Sequence, residues 1–161
     1  RGANVQDNAH PIRSGAVVGT GNGTIFNADT LFRRLNLSRF AEVDSEIIFR
    51  MADDTLHDGC IDIPAFKERL GLCRGQISAV LAAKLDLKVV VVIKGNMPLE
   101  LRYHLEHEVV VYASDPRSLD IAIPLDLGWE EIETKPMSIM AFDCDNLPHF
   151  DSVSFTLAGV R

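Results

Sequence analysis

Positive charge is scarce in this chain. Its 16 Lys and Arg stand against 23 Asp and Glu, a net charge of −7. Phosphate backbones are held by clustered Lys and Arg, so this balance argues against nucleic acid as a broad partner. Long apolar runs are also missing. The longest, Val89-Val90-Val91-Val92-Ile93, has the length of a strand, far short of the roughly 20 residues that span a bilayer. Nothing at the start resembles a secretory leader. Cysteine is sparse and odd in number. Cys60, Cys73 and Cys144 are widely spaced, which speaks against a disulfide framework and for a reducing, cytoplasmic compartment. His104 and His107 flank a turn and read as solvated turn residues, since nothing completes a metal-ligand set around them. No cofactor is expected.

What is present is apolar residue enough for a core. The chain is 47% apolar over 161 residues, which suits one domain with no repeat, linker or low-complexity segment, spanning 1–161. Residues 1–15 are polar and Gly-rich and read as loop. Ala16 to Thr20 reads as a short buried strand. Asn27 stands where a helix N-cap would, ahead of the apolar stripe Leu31, Phe32 and Leu35. Asp44-Ser45-Glu46 opens a second helix with Ile47, Ile48 and Met51 on one face. Asp58-Gly59 is a turn. Ile63 to Gly71 is a short helix, with Pro in the first turn and Gly past the end. Gln76 to Leu85 is mixed, its alanines suiting a helix. Lys88 to Lys94 is β-branched and strand-like. Leu99 to His104 and Glu108 to Ser114 alternate about a turn, as a hairpin does. Pro116 to Leu119 turns the chain toward a helical segment, Ser138 to Asp143 is a final strand, and the tail from Asn146 has no period. Strand, helices and then antiparallel strands indicate an α+β fold.

Asn22 and Gly23 lie in the run Gly21-Asn22-Gly23-Thr24-Ile25-Phe26-Asn27. Asn-Gly is a common turn dipeptide. An Asn carboxamide beside a Gly backbone N–H at a strand end can also donate two hydrogen bonds to one point, as an oxyanion requires. Asp44 reads locally as a helix cap, with Glu46 nearby. His10, His57 and His149, Trp129 and the methionines read as loop or packing residues. Glu106, Glu108, Glu130, Glu131 and Glu133 read as a solvated surface.

The order of several strings resembles the class II glutamine amidotransferase domain of the N-terminal-nucleophile hydrolases. Asn8-Ala9-His10-Pro11 is similar to the family's Asn-Ala-His-Pro. Gly21 to Asn27 is similar to its His-Asn-Gly-Ile-Ile-x-Asn, and Val43 to Ile48 to its Thr-Asp-Thr-Glu-Val-Ile. Arg74-Gly75, Asn96-Met97-Pro98-Leu99 and Ala113-Ser114-Asp115-Pro116 follow in the family's order. The resemblance implies a four-layer αββα sandwich and makes Gln76 to Leu85 a strand. It implies hydrolysis of the glutamine side-chain amide by an N-terminal cysteine thiolate, through a tetrahedral oxyanion and a thioester, to give ammonia. Asn22 and Gly23 match the oxyanion donors. Arg1 matches the partner of the glutamine α-carboxylate, and Asp44 the partner of its α-ammonium.

Departures accompany the match. Arg1-Gly2-Ala3-Asn4 stands where the family has Arg-x-x-Thr, so Asn4 replaces a threonine in contact with glutamine. Gly21 replaces a histidine. The chain begins at Arg1, and the family's catalytic cysteine and first strands precede that point. The expectation is therefore an αββα domain incomplete at its N-terminus, a glutaminase that delivers ammonia to a synthase domain or subunit but is inactive as this isolated chain. The rival expectation is a non-catalytic amidotransferase-like module for binding or assembly. An apolar face is expected where the preceding strands would pair, with homo-oligomers as a consequence.

Overall fold

The structure, a computed structural model, describes residues 8–159. Along the chain lie β1 (Ile12–Ser14), β2 (Val17–Ile25), α1 (Ala28–Arg34), α2 (Glu46–Asp54), β3 (Leu56–His57), β4 (Cys60–Ile61), α3 (Ile63–Leu70), β5 (Gly75–Ala83), β6 (Val89–Lys94), β7 (Glu100–His104), β8 (Val109–Ala113), α4 (Pro116–Ala122), β9 (Trp129–Ile132), β10 (Ser138–Asp143) and β11 (Phe150–Ser154). Six strands form one sheet in the order β1-β2-β5-β6-β10-β11, and three form a second in the order β8-β7-β9. Every pairing is antiparallel.

Strand alternation sorts the side chains into layers. Ile77 and Leu81 of β5, Ile93 of β6 and Ile139 of β10 pack with Ile47, Phe49 and Met51 of α2 and Phe66 and Leu70 of α3. On the opposite face, Val92, Met140 and Phe142 meet Leu99 and Leu101 beside the second sheet. Arg102 follows Leu101 and so points to the outer face of that sheet. There it donates to the Ile123 carbonyl at 2.7 Å and pairs with Asp120 of α4. The layers are helix, sheet, sheet, helix, the αββα arrangement that the family resemblance implies.

The helices form for local reasons. The Asp62 side chain accepts from the Ala65 N–H at 2.9 Å and caps α3, with Pro64 in the first turn, where a missing N–H costs nothing. Asp115 does the same for α4, accepting from the Arg117 N–H at 3.2 Å. Glu46 is fully buried, and its carboxylate accepts from the Phe40 and Ala41 amides at 2.9 and 2.7 Å. That contact binds the loop before α2 to the helix itself.

Several expectations need correcting. Asn22-Gly23 is no turn: both residues lie inside β2, which is nine residues long. The Asn27 side chain makes no cap bond. Its carboxamide accepts from the Arg74 N–H and donates to the Leu72 carbonyl, bridging the start of α1 to the strand entry of β5. His104 is buried, not a solvated turn residue. It is stacked on His107, with Trp129 edge-on, and its Nδ1 accepts from the His107 N–H. β1, β9 and β11 arise in stretches that showed no strand period. β9 and β11 are half-exposed or exposed throughout, and β1 alternates over only three residues, so the pairing partner rather than the local pattern makes them strands.

Phe49 is fully buried, and its ring lies against Gly19 and Gly21 of β2. Phe49→Ala is expected to lower the free energy of unfolding by about 3–5 kcal/mol. Urea denaturation followed by circular dichroism measures it, and a loss under about 1 kcal/mol would show that α2 is not packed on β2 in this way.

Candidate functional site

The directions of the backbone amides in β2 follow from its ladders. The Lys84 N–H donates to the Ala16 carbonyl at 2.7 Å. In an antiparallel pair, bonded and non-bonded residues alternate. The even-numbered residues Val18, Thr20, Asn22 and Thr24 therefore exchange bonds with β5. The odd-numbered ones turn their N–H and C=O groups to the other edge. Bonds at the far end agree. Ile77, the register partner of Gly23, gives its N–H to Asn96 Oδ1 at 2.9 Å and takes the Met97 N–H on its carbonyl at 3.4 Å. Both groups point away from Gly23.

On the outer edge of β2, β1 pairs only with Val17, Val18 and Gly19. Past Gly19 no described strand follows, so among the described residues no strand covers the Gly23 N–H on that edge. Ile25, two residues on, presents its N–H on the same edge, and there the Asp44 carboxylate accepts it. Asp44 also supplies the carbonyl that receives the Ile47 N–H at 3.3 Å at the start of α2. Two residues of strand, about 7 Å, separate the Gly23 amide from the one that holds Asp44.

Gly23 has φ +135°, and a Cβ there would sit 2.0 Å from the Gln76 carbonyl oxygen. Gly75, opposite Ile25, is its counterpart: φ is +144° and a Cβ would meet the Thr24 carbonyl oxygen at 2.0 Å. Only glycine fits either place.

Asn22 faces the space between the sheets. It lines a pocket of about 150 Å³ with Thr20, Ser78, Leu99, Tyr112 and Ser114. The Thr20 and Tyr112 hydroxyls are 2.8 Å apart and join β2 to β8 across that space. The Ser78 hydroxyl donates to the Met97 carbonyl at 2.6 Å. Alternation along β2 would have put Thr20 and Asn22 on one face. Nothing local pointed to Ser78, Tyr112 or Ser114, which other strands bring. Next to this pocket runs a wider apolar groove of about 480 Å³, lined by Val18, Val80, Ala82, Val90, Leu101 and Val110.

The site thus brings together Asn22, Gly23 and Asp44. Arg1 and Asn4 lie outside the described residues. No cysteine among the described residues lines the Asn22 pocket. Burial pushes the Cys73 thiol up to about 12. Cys60 is raised by its hydrogen bond to Asp86, and Cys144 by partial burial and then by Asp143 and Asp145. A thiol nucleophile needs the opposite shift. Among the described residues no group of three or more His, Cys, Asp and Glu could hold a metal ion. Among the described residues no helix is long and apolar enough to cross a membrane.

Solved structures share this architecture. The glutamine phosphoribosylpyrophosphate amidotransferase from B. subtilis, complexed with ADP and GMP, superposes with a TM-score of 0.71 over 97% of this chain, at 18% identity. An allosteric regulatory enzyme of purine biosynthesis superposes with a TM-score of 0.70 over 93% of it, also at 18% identity. The fold is the N-terminal-nucleophile hydrolase fold. The chain spans about a third of the length of these structures, 34% and 32%. No protein-family model matches the chain, and no curated protein matches it.

Two outcomes follow from the local chemistry. With its thiol raised to about 12 and buried, Cys73 stays protonated and unreactive in the native protein at pH 8. Cys60 and Cys144 are exposed and should react with a chromogenic disulfide reagent, and all three should react in denaturant. Three fast thiols in the native state would contradict the packing around Cys73. Separately, Gly23→Ala should destabilise the fold by at least about 1–3 kcal/mol through backbone strain and the clash with Gln76, read as a lower thermal midpoint. An unchanged midpoint would mean that β2 and β5 do not approach this closely.

Proposed function

We propose that this chain is the glutaminase part of a glutamine amidotransferase, hydrolysing the side-chain amide of glutamine to supply ammonia to a synthase domain or subunit. The observation that carries the reading is the placement of Gly23 and Asp44 on the same edge of β2, which no described strand covers past Gly19. The Gly23 amide and the Ile25 amide that holds the Asp44 carboxylate lie about 7 Å apart along the strand, the scale of one extended glutamine. The Gly23 N–H and the Asn22 carboxamide would hold the oxyanion of the tetrahedral intermediate. Asp44 would accept from the α-ammonium, and Arg1 would pair with the α-carboxylate, with Asn4 beside it. The two donors reach the carbonyl oxygen from different directions, Asn22 from the sheet face and Gly23 from the sheet edge. That suits an sp³ oxyanion more than a planar carbonyl, the preference that lowers a barrier.

The attacking thiolate would come from an N-terminal cysteine, as in the resembled family, because Cys60, Cys73 and Cys144 are all raised rather than activated. The same observation favours a second reading, an amidotransferase-like module that keeps the fold for binding or assembly without catalysis.

The gene product that includes the codons before Arg1 separates the two. Under the first reading it releases glutamate and ammonia from glutamine. Asn22→Ala lowers kcat about 10²- to 10³-fold, and Asp44→Asn raises KM for glutamine. A product that folds and releases no glutamate would sink the glutaminase reading and leave the binding module.

A further inference from the structure

β6 leaves β5 before the site. Its register partners reach from Ala82 only to Ala79, while β2 continues to pair with β5 as far as Gly75. Over Gly75 to Ser78, β5 has β2 on one side and no strand on the other. A ribbon of two strands twists more freely than a sheet of three. Here the missing strand is replaced by the loop after β6. Asn96 Oδ1 accepts from the Ile77 N–H at 2.9 Å, and its Nδ2 donates to the Gly75 carbonyl at 3.1 Å. The Met97 N–H donates to the Ile77 carbonyl at 3.4 Å, and the Met97 carbonyl receives the Ser78 hydroxyl at 2.6 Å. One carboxamide thus makes the donor and acceptor contacts of a neighbouring strand. Because it meets an N–H on one side and a C=O on the other, its orientation is set by the chemistry.

Gly95 lets this loop approach. A Cβ there would lie 2.0 Å from the Ile77 carbonyl oxygen. The residues that Asn96 holds are the register partners of the site: Ile77 lies opposite Gly23, and Gly75 opposite Ile25. Asn96 touches neither of them. It commits the backbone groups of Ile77 and Gly75 to the outer side of β5. That leaves the Gly23 and Ile25 amides turned to the edge of β2 that no described strand covers, the second of them on Asp44.

We propose that Asn96 is a positioning residue for the oxyanion donor Gly23 and for Asp44, acting through β5 as a substitute strand. Its kinetic consequence rests on the glutaminase reading, but its effect on the β2 amides does not.

The test uses the chain labelled with ¹⁵N, as wild type, Asn96→Ala and Asn96→Asp. In Asn96→Ala the Gly23 amide resonance moves. Hydrogen exchange at the Ile25 N–H rises about tenfold, the size of one lost hydrogen bond. The Val17 and Gly19 amides, paired with β1, stay as they were. Asn96→Asp keeps the acceptor for Ile77 but sets a carboxylate oxygen against the Gly75 carbonyl. Its change is therefore smaller at Gly23 and larger at Ile25. Unmoved Gly23 and Ile25 signals would overturn the proposal. So would an equal disturbance along all of β2, or unfolding of both variants, since Asn96 would then support the fold as a whole. In the gene product that includes the preceding codons, Asn96→Ala should lower kcat about tenfold or more through Gly23 and also raise KM for glutamine through Asp44. A KM effect alone would overturn the kinetic part. A parent product inactive on glutamine would count against the glutaminase reading and leave the amide pattern to decide the positioning role.

Discussion

The long ladder between β2 and β5 is the constraint on which the rest of the molecule depends. Nine consecutive register pairs run from Val17 opposite Ala83 to Ile25 opposite Gly75. In an antiparallel ladder the phase of the hydrogen bonds, once set at one end, is inherited along its whole length. The Ala16–Lys84 bond at one end therefore decides which way Gly23 points seven residues later. Two glycines near the far end let the backbones approach so closely that a Cβ on either would sit 2.0 Å from a carbonyl oxygen of the opposite strand. Phe49 of α2 rests on this ladder from one side, and the Thr20–Tyr112 hydroxyl pair bridges to the second sheet on the other.

The ladder gives the site its geometry by separating face from edge. Side chains of even-numbered residues in β2 enter the space between the sheets, while amides of odd-numbered residues leave through the edge. Asn22 and Gly23 are neighbours in sequence, yet one offers a side chain to the face and the other a main-chain donor to the edge. A strand covered on both edges could not do this. β1 ends at Gly19 on one side, and on the other the Asn96 carboxamide stands in where β6 has turned away. Asp44 joins because its carboxylate takes the next edge amide, Ile25, at the point where the chain enters α2. The same buried Glu46 that holds the Phe40 and Ala41 amides fixes the loop leading to Asp44.

Much of this was legible in the residues. The β-branched run at Val89 to Ile93, the alternation of Leu99 to His104 and of Glu108 to Ser114, and the Pro and Gly boundaries of Ile63 to Gly71 mark elements whose local preference agrees with their tertiary setting. Gln76 to Leu85 was ambiguous by period, because β5 lies centrally in the sheet and is apolar on both faces, which erases alternation. Asn22-Gly23 was misleading, since the dipeptide that favours a turn serves here as a close approach within a strand. Asn27 resembled a cap but bridges to Arg74 and Leu72, partners 47 and 45 residues away. His104 resembled a surface turn residue because nothing nearby in sequence shows that Trp129 and Leu127 return to cover it.

The amino-acid sequence by itself determined the apolar content for a core, the acidic balance, most of the elements and the ordered strings around Asn22, Gly23 and Asp44. Each of these depends on composition or on neighbours within a few residues. Only the tertiary structure decided where the Gly23 amide points, that Asp44 takes the Ile25 N–H, that Asn96 completes the edge of β5, and that the three described cysteines sit in surroundings that raise rather than lower their thiols. The physical reason is the same in each case. Hydrogen-bond phase, burial and the approach of a distant loop are properties of pairs of segments, set when strands far apart in sequence find their register. No local pattern of residues carries that information.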